Sequence, residues 1–332
     1  MESVASGCHL CSIVFWDENS TGLFVSSRPR ALQPEHACVW AKYLWVEDHC
    51  TKSDFELLCG YKTFGTESDT TPQDLPRGRQ DSRFTLSLAW LRIVRGYQRT
   101  EFTYESDRLI ALSGVAKAIE HSKGFTYVAG TWKELWPLDL LWWYHGWDPS
   151  KEEPTDFTKS KPPSWSWAAR KWGKDFLLLE RFDFDIPLIT YRAQFKYFTC
   201  PTSTDRYTGT RADKEGIILT IKSRVKRGLA AWKWRFKCWL LAVRASDTEW
   251  VYVYWDPGQE PRLGESVLLL ILISMESENT NKKDPYQIGL VLMLEEGVKK
   301  KNGQPCYRRV GYFNEGGFGN HETWGEETIC LC

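Results

Sequence analysis

The chain has 332 residues, 42% of them hydrophobic, which is enough for one large core or two modest ones, and two packed units are expected. Its 43 Lys and Arg balance 43 Asp and Glu, excluding a global field that would draw it to nucleic acid, anionic lipid or acidic substrates. The longest purely apolar run, Val267 to Ile273, is seven residues, far short of the roughly 20 needed to cross a bilayer as a helix. The N-terminus, MESVASGCHLCSIVFWDENS, has no basic start and no unbroken apolar stretch, so no secretory signal is expected and the default location is cytoplasmic. In that reducing compartment the ten cysteines read as free, mostly buried thiols.

Residues 1–80 are expected to be an irregular segment and linker. Cys8 and Cys11 form a CxxC, followed by His36, Cys38, His49, Cys50 and Cys59. The later ligands are adjacent or one residue apart, which strains tetrahedral coordination, so no metal site is expected. The run from Thr66 to Arg83 is polar, charged and broken by two prolines, and reads as a flexible linker.

Residues 81–161 are expected to form a helical, tryptophan-rich unit. Asp81 or Ser82 caps a first helix with Leu86, Trp90, Ile93 and Val94 at helical spacing and Gly96 as its C-terminal glycine. A second helix starts near Ser106, with Leu109, Leu112, Val115, Ala116 and Ile119 on one face, Asp107 in the first turn and Arg108 exposed or locally paired. From Gly130 the segment GTWKELWPLDLLWWYHGW is apolar on most sides, capped by Thr131 and kinked at Pro137, and reads as a buried helix. Eight of the 18 tryptophans lie between Trp132 and Trp172, which favours a packed hinge between units. A polar loop from Asp148 to Lys161 leads to PPSWSWAA, Pro162 to Ala169. There Ser164 and Ser166 alternate with Trp165 and Trp167, the period of a strand with both indoles on one face.

Residues 162–332 are expected to form an antiparallel β-rich unit, making the fold class α+β with a sheet or sandwich. Candidate strands are 177–181, 186–191, 193–198, 216–221, 251–254, 267–273, 288–294 and 307–313, with a charged turn at Lys299 to Gly303 joining the last two as a hairpin. The cleanest alternation sets Trp232, Trp234, Phe236, Cys238 and Leu240 against Lys233, Arg235 and Lys237, predicting one half-buried strand.

Chemistry is sparsely signposted. Six histidines stand in no HExxH or triad-like order. Gly316, Gly317 and Gly319 read as a loop because the residues after them are acidic and not periodic. Lys222 to Arg244 holds eight Lys or Arg and no acid, interleaved with Trp232, Trp234 and Phe236. Strict alternation places aromatics and cations on opposite faces, the reverse of a stacking groove for single-stranded nucleic acid, so nucleic acid is disfavoured as a partner.

Three ordered stretches carry a resemblance. They are WLRIVRGYQRTEFTYESDRLIALSGVAKAI from Trp90 to Ile119, Tyr127 to Trp143 with its Ala-Gly-x-Trp and Leu-Leu-Trp-Trp, and Pro-Ser-Trp-Ser-Trp-Ala from Pro163 to Ala168. Together with GLVLMLEEG and YRRVGYF between Gly289 and Phe313, the region 84–332 resembles the part that follows the signature domain of fungal heterokaryon incompatibility (HET domain) proteins. The Tyr-x-x-Leu-Ser-Tyr-x-Trp-Gly-like block of the HET domain does not occur, while Ser6 to Phe15 is similar to the cysteine-bearing segment upstream of it. The resemblance implies non-self recognition or its regulation, linked to cell death after hyphal fusion, in a truncated or degenerate member. Another protein in a recognition complex is the expected partner. The HET domain is distantly similar to TIR domains, so NAD cleavage by a residual enzyme is the alternative. That chemistry would belong to the missing block, hence no residue is assigned as catalytic, cofactor-binding or metal-ligating, and no cofactor is expected. The matching residues Asp107, Arg108, Leu109, Ser113, Gly114, Trp132, Trp142, Trp143, Pro163, Ser164, Trp165, Ser166 and Trp167 are expected to be structural.

Overall fold

The structure is a computed structural model that describes residues 13–16, 23–26, 58, 82–98, 108–144, 162–169, 176–177, 188–202, 204–209, 216–235, 238–256, 258–276, 285–299, 303–316 and 324–332. The cysteine and histidine set from Cys8 to Cys59, both polar runs (Thr66 to Asp81 and Asp148 to Lys161) and Asp107 lie outside the described residues. The chain begins with β1 (Ile13–Trp16) and β2 (Leu23–Ser26), an antiparallel pair, followed by α1 (Ser82–Gln98) and α2 (Arg108–Lys123). Short strands follow: β3 (Tyr127–Val128), β4 (Thr131–Trp132), β5 (Trp143–Tyr144) and β6 (Phe176–Leu177). Then come β7 (Leu188–Tyr191), β8 (Gln194–Thr199), β9 (Ile218–Arg235), β10 (Cys238–Arg244), β11 (Trp250–Tyr252), β12 (Tyr254–Trp255), β13 (Ser266–Glu276), β14 (Tyr286–Lys299), β15 (Pro305–Gly316) and β16 (Gly325–Leu331). The fold class is α+β.

Both helices form where apolar periodicity predicts them. On α1, Trp90, Leu91, Ile93 and Val94 are buried, and on α2 so are Leu109, Leu112, Val115, Ala116 and Ile119. One detail differs from expectation and another narrows it. Gly96 lies inside α1, which continues to Gln98; a single glycine costs a helix only about 1 kcal/mol, too little to end one held by a buried face. Arg108 is 6% exposed, which removes the solvent-facing alternative of the expectation.

Over its described residues, Gly130 to Tyr144, the tryptophan-rich stretch is not an α-helix, which corrects the reading of that part as a buried helix. Ala129 (φ 44°) and Gly130 (φ 101°) make a tight turn between β3 and β4, the double positive φ that a two-residue hairpin requires. Downstream, Leu138–Leu140 is one turn of 3-10 helix after Pro137, which has no N–H to give to a helix. PPSWSWAA is likewise no strand: a turn runs into a 3-10 helix over Trp167–Ala169. Ser166 holds that turn closed, its hydroxyl accepting from Ala168 N at 3.2 Å.

Among the described residues, β7 to β16 join in one ten-stranded sheet, largely antiparallel. Five of them close a ring: β13 pairs with β14, β14 with β15, β15 with β16 in parallel, β16 with β9, and β9 with β13. The expected β14–β15 hairpin forms, with Lys299 opposite Pro305. Successive residues of β13 face opposite sides, as strand geometry requires. Leu268, Leu270 and Leu272 join a core that continues into α1, α2 and the tryptophan segment, whereas Val267, Leu269 and Ile271 join a second core with Val243, Val251, Phe313 and Trp324.

The single strand expected through Trp232 to Leu240 is instead the end of β9 and the start of β10, paired with Arg235 opposite Cys238 and Trp234 opposite Trp239. Its indoles are not buried: Trp232 and Trp234 are 50% and 55% exposed. Alternation marked the strands correctly but did not reveal where β9 ends and β10 begins, because the two positions between Arg235 and Cys238 leave the period of 2 in step.

Candidate functional site

Six of the thirteen residues singled out by sequence meet at a buried joint between the tryptophan segment and the sheet. Trp90, Trp132, Trp142, Trp165 and Trp167 are all below 2% exposure. Each removes roughly 200 Å² of mostly apolar surface from water, worth about 5 kcal/mol before the entropy of ordering is counted. Two of these rings cluster with Tyr127: Trp132 meets Trp90 of α1 edge-on at 5.3 Å and Tyr127 at 4.9 Å between centroids.

Their polar edges are organised by the turn at Gly130. Its carbonyl accepts from the Trp90 indole at 3.2 Å and from the Trp167 indole at 2.9 Å, so α1 and PPSWSWAA are tied to one oxygen. The Trp142 indole donates to the Trp165 carbonyl at 3.2 Å. A Cβ on Gly130 would stand 2.6 Å from the Trp167 indole nitrogen, on a backbone at φ 101° that L-residues rarely adopt. Gly130→Ala is therefore expected to cost on the order of 3 kcal/mol, from strain and overpacking together. A shift in the urea midpoint at unchanged slope measures it, and a variant as stable as the parent would show that the turn can relax.

Asp139 anchors the next layer. Its carboxylate accepts from Trp132 N at 2.8 Å. Burial pushes its pKa up to about 7, against the opposing help of that N–H and of Ser87, with Glu134 adding a smaller push upward. Tyr127 is raised too, first by burial and then by the nearby Asp139.

Arg309 of β15 closes the joint from the sheet side. It is fully buried and grips Asp256, also buried, through Nε at 3.1 Å and Nη2 at 3.3 Å. Nη1 donates to the Leu140 carbonyl at 2.8 Å, Nη2 to the Trp142 carbonyl, and the guanidinium carbon lies 3.2 Å from the Trp142 ring centroid. Arg309 N donates to the Ser164 hydroxyl at 2.9 Å, and that hydroxyl donates to the Cys332 carbonyl. Bidentate pairing with stacking is what a guanidinium can do and an ammonium cannot.

Of the predicted residues, Trp132, Trp142, Ser164, Trp165, Ser166 and Trp167 meet in this joint, and Pro163 is buried beside it. Arg108, Leu109, Ser113 and Gly114 are buried on α2, where the Ser113 hydroxyl donates to the Ile110 carbonyl at 2.6 Å. Trp143 lies in β5, opposite Leu177. Sequence reasoning missed Gly130, Asp139, Asp256 and Arg309. A lone acid inside WPLDLLWW was a usable signal for Asp139, since an unpartnered carboxylate does not persist in an apolar run. Among the described residues, no three His, Cys, Asp or Glu side chains gather as metal ligands, and no helix is long and apolar enough to cross a membrane. Chemically the arrangement is a joint suited to holding two elements in fixed relation: Arg309 and Asp256 satisfy each other, while Asp139 Oδ1 and the Trp132 and Trp165 indole nitrogens are buried with no hydrogen-bond partner among the described residues. Comparison of the chain with family models, with curated proteins and with solved structures gives no match.

Proposed function

We propose that this chain is a HET-related fungal protein acting in non-self recognition or its regulation, contributing a recognition surface instead of catalysis. The observation that carries this reading is the ordered recurrence of three motifs, Asp107 to Ala116, Ala129 to Trp143 and Pro163 to Ala168. The turn of the second supplies the Gly130 carbonyl to which the Trp167 indole of the third and the Trp90 indole of α1 both donate. A family that keeps these residue types in this order would be keeping such a joint. Another protein in a recognition complex is the natural partner, in the cytoplasm. Any cell-death activity belongs to a HET block, and none occurs in this sequence.

The test is induced expression in a fungal host next to a full-length HET-domain relative. Growth is expected to continue with this chain alone and to arrest with the relative. Arrest of equal severity with this chain would overturn the non-catalytic reading, and release of nicotinamide from NAD by the purified protein would replace it with an enzymatic one.

A further inference from the structure

The β9–β10 ribbon is built differently from the rest of the sheet. Up to Val225, β9 has strands on both edges, with β16 covering Leu219 to Val225 on one and β8 then β13 on the other, and β13 continues to Leu229 through Ser266. After Gly264 N donates to the Ala230 carbonyl, β9 pairs only with β10. On its far side β10 is covered by β11 only from Ala242 to Arg244. Residues 231–235 and 238–241 thus form a two-stranded ribbon leaving the sheet, an element marginal by itself in water.

Its side chains are unusual for such a place. Trp232 and Trp234 stand on one face at 50% and 55% exposure, so half of each large apolar ring meets solvent. Lys233 stands on the other, its ammonium 4.6 Å from the centroid of Trp250. The stretch Lys222 to Arg244 has eight cations and no acid. At the base of β9 those charges are met by carboxylates: Lys222 by Glu326, Lys226 by Glu249 and Arg227 by Glu327. In the ribbon, the described cation Lys233 meets a ring instead of a carboxylate, and the sequence places no acid between Lys222 and Arg244.

We propose that this ribbon is a docking element for an anionic lipid bilayer, with Trp232 and Trp234 at the acyl boundary and Lys233 among the lipid phosphates. Indoles favour that boundary because one edge is apolar and the other carries an N–H. Each cation near such a surface adds about 1 kcal/mol, about a fivefold gain in partitioning. The geometry decides between lipid and nucleic acid. Stacked bases need aromatics and cations on the same face, which alternation forbids here, whereas a bilayer surrounds an inserted ribbon on both faces and uses each where it stands. A surface contact of this kind needs no spanning helix, and it does not depend on the function proposed above.

The experiment is cosedimentation of the full chain with vesicles of phosphatidylcholine alone or phosphatidylcholine mixed with phosphatidylserine, with brominated acyl chains as quenchers of tryptophan emission. Expected is sedimentation with the serine-containing vesicles that weakens as salt rises, with little on neutral ones. Trp232→Ala with Trp234→Ala is expected to remove most binding and the bromine quenching, at an unchanged urea midpoint since both indoles are half exposed. Lys233→Gln is expected to weaken partitioning about fivefold. Equal sedimentation by the double tryptophan variant, or none by the parent chain, overturns the proposal. Retention of an oligodeoxythymidine that the same variant loses, without vesicle binding, reassigns the ribbon to single-stranded nucleic acid.

Discussion

Arg309→Met is expected to be the most damaging single substitution in the chain. It strands the Asp256 carboxylate at 1% exposure and strips a donor from each of the Leu140 and Trp142 carbonyls. Breaking a buried ion pair on one side costs about 3–5 kcal/mol, and each buried carbonyl left without a donor about 1–3 more. The total approaches the whole stability of an ordinary domain, roughly 5–15 kcal/mol. Urea unfolding followed by tryptophan emission should show a collapse of the midpoint, or no cooperative transition. Adding Asp256→Leu to the same chain should recover part of the loss, because the stranded charge is then gone, but not all of it, because the two carbonyls stay bare. An Arg309→Met chain as stable as its parent would mean the joint is held by ring packing alone.

The second large effect is a pH dependence centred on Asp139. Its folded pKa, about 7, lies above the ordinary 3.8, so between those values the folded state holds a proton that the unfolded state has released. Stability from this group is therefore intact below about pH 4, falls as pH rises, and levels off above about pH 7. At 1.36 kcal/mol per unit the whole loss is about 4 kcal/mol, of which about 3 falls between pH 5 and pH 8. Asp139→Asn keeps an oxygen for Trp132 N but carries no ionisable group. Its stability minus that of the parent should therefore grow by about 3 kcal/mol over that interval. A difference that does not change with pH would show that Asp139 titrates as an ordinary carboxylate.

What the sequence disclosed follows from which interactions are local. The apolar faces of α1 and α2 are set by spacings of three and four residues, so Leu109, Leu112, Val115, Ala116 and Ile119 were readable and are buried. Strands such as β13, β14 and β15 were readable for the same reason. The joint was not, because its terms are distant: Arg309 to Leu140 spans 169 positions and Ser164 to Cys332 spans 168. PPSWSWAA shows how a local signal misleads. Alternation of Ser and Trp mimics a strand, yet the residues turn because the Ser166 hydroxyl accepts from the Ala168 N–H and the Trp167 indole donates to the Gly130 carbonyl. In the same way β16 escaped notice, since GEETICL alternates poorly and is held by β9 and β15 from outside.

The ring of strands sets an order on synthesis. β16 is the piece that joins β15 to β9, and the cross-link between Arg227 and Glu327 spans 100 positions. While the chain emerges from the ribosome, β9, β13, β14 and β15 have nothing to close with, and β9 waits with one long edge open. Because loop closure over such distances is slow, the nascent sheet passes through a stage in which its own exposed edge is its greatest hazard, and the arrival of β16 ends it.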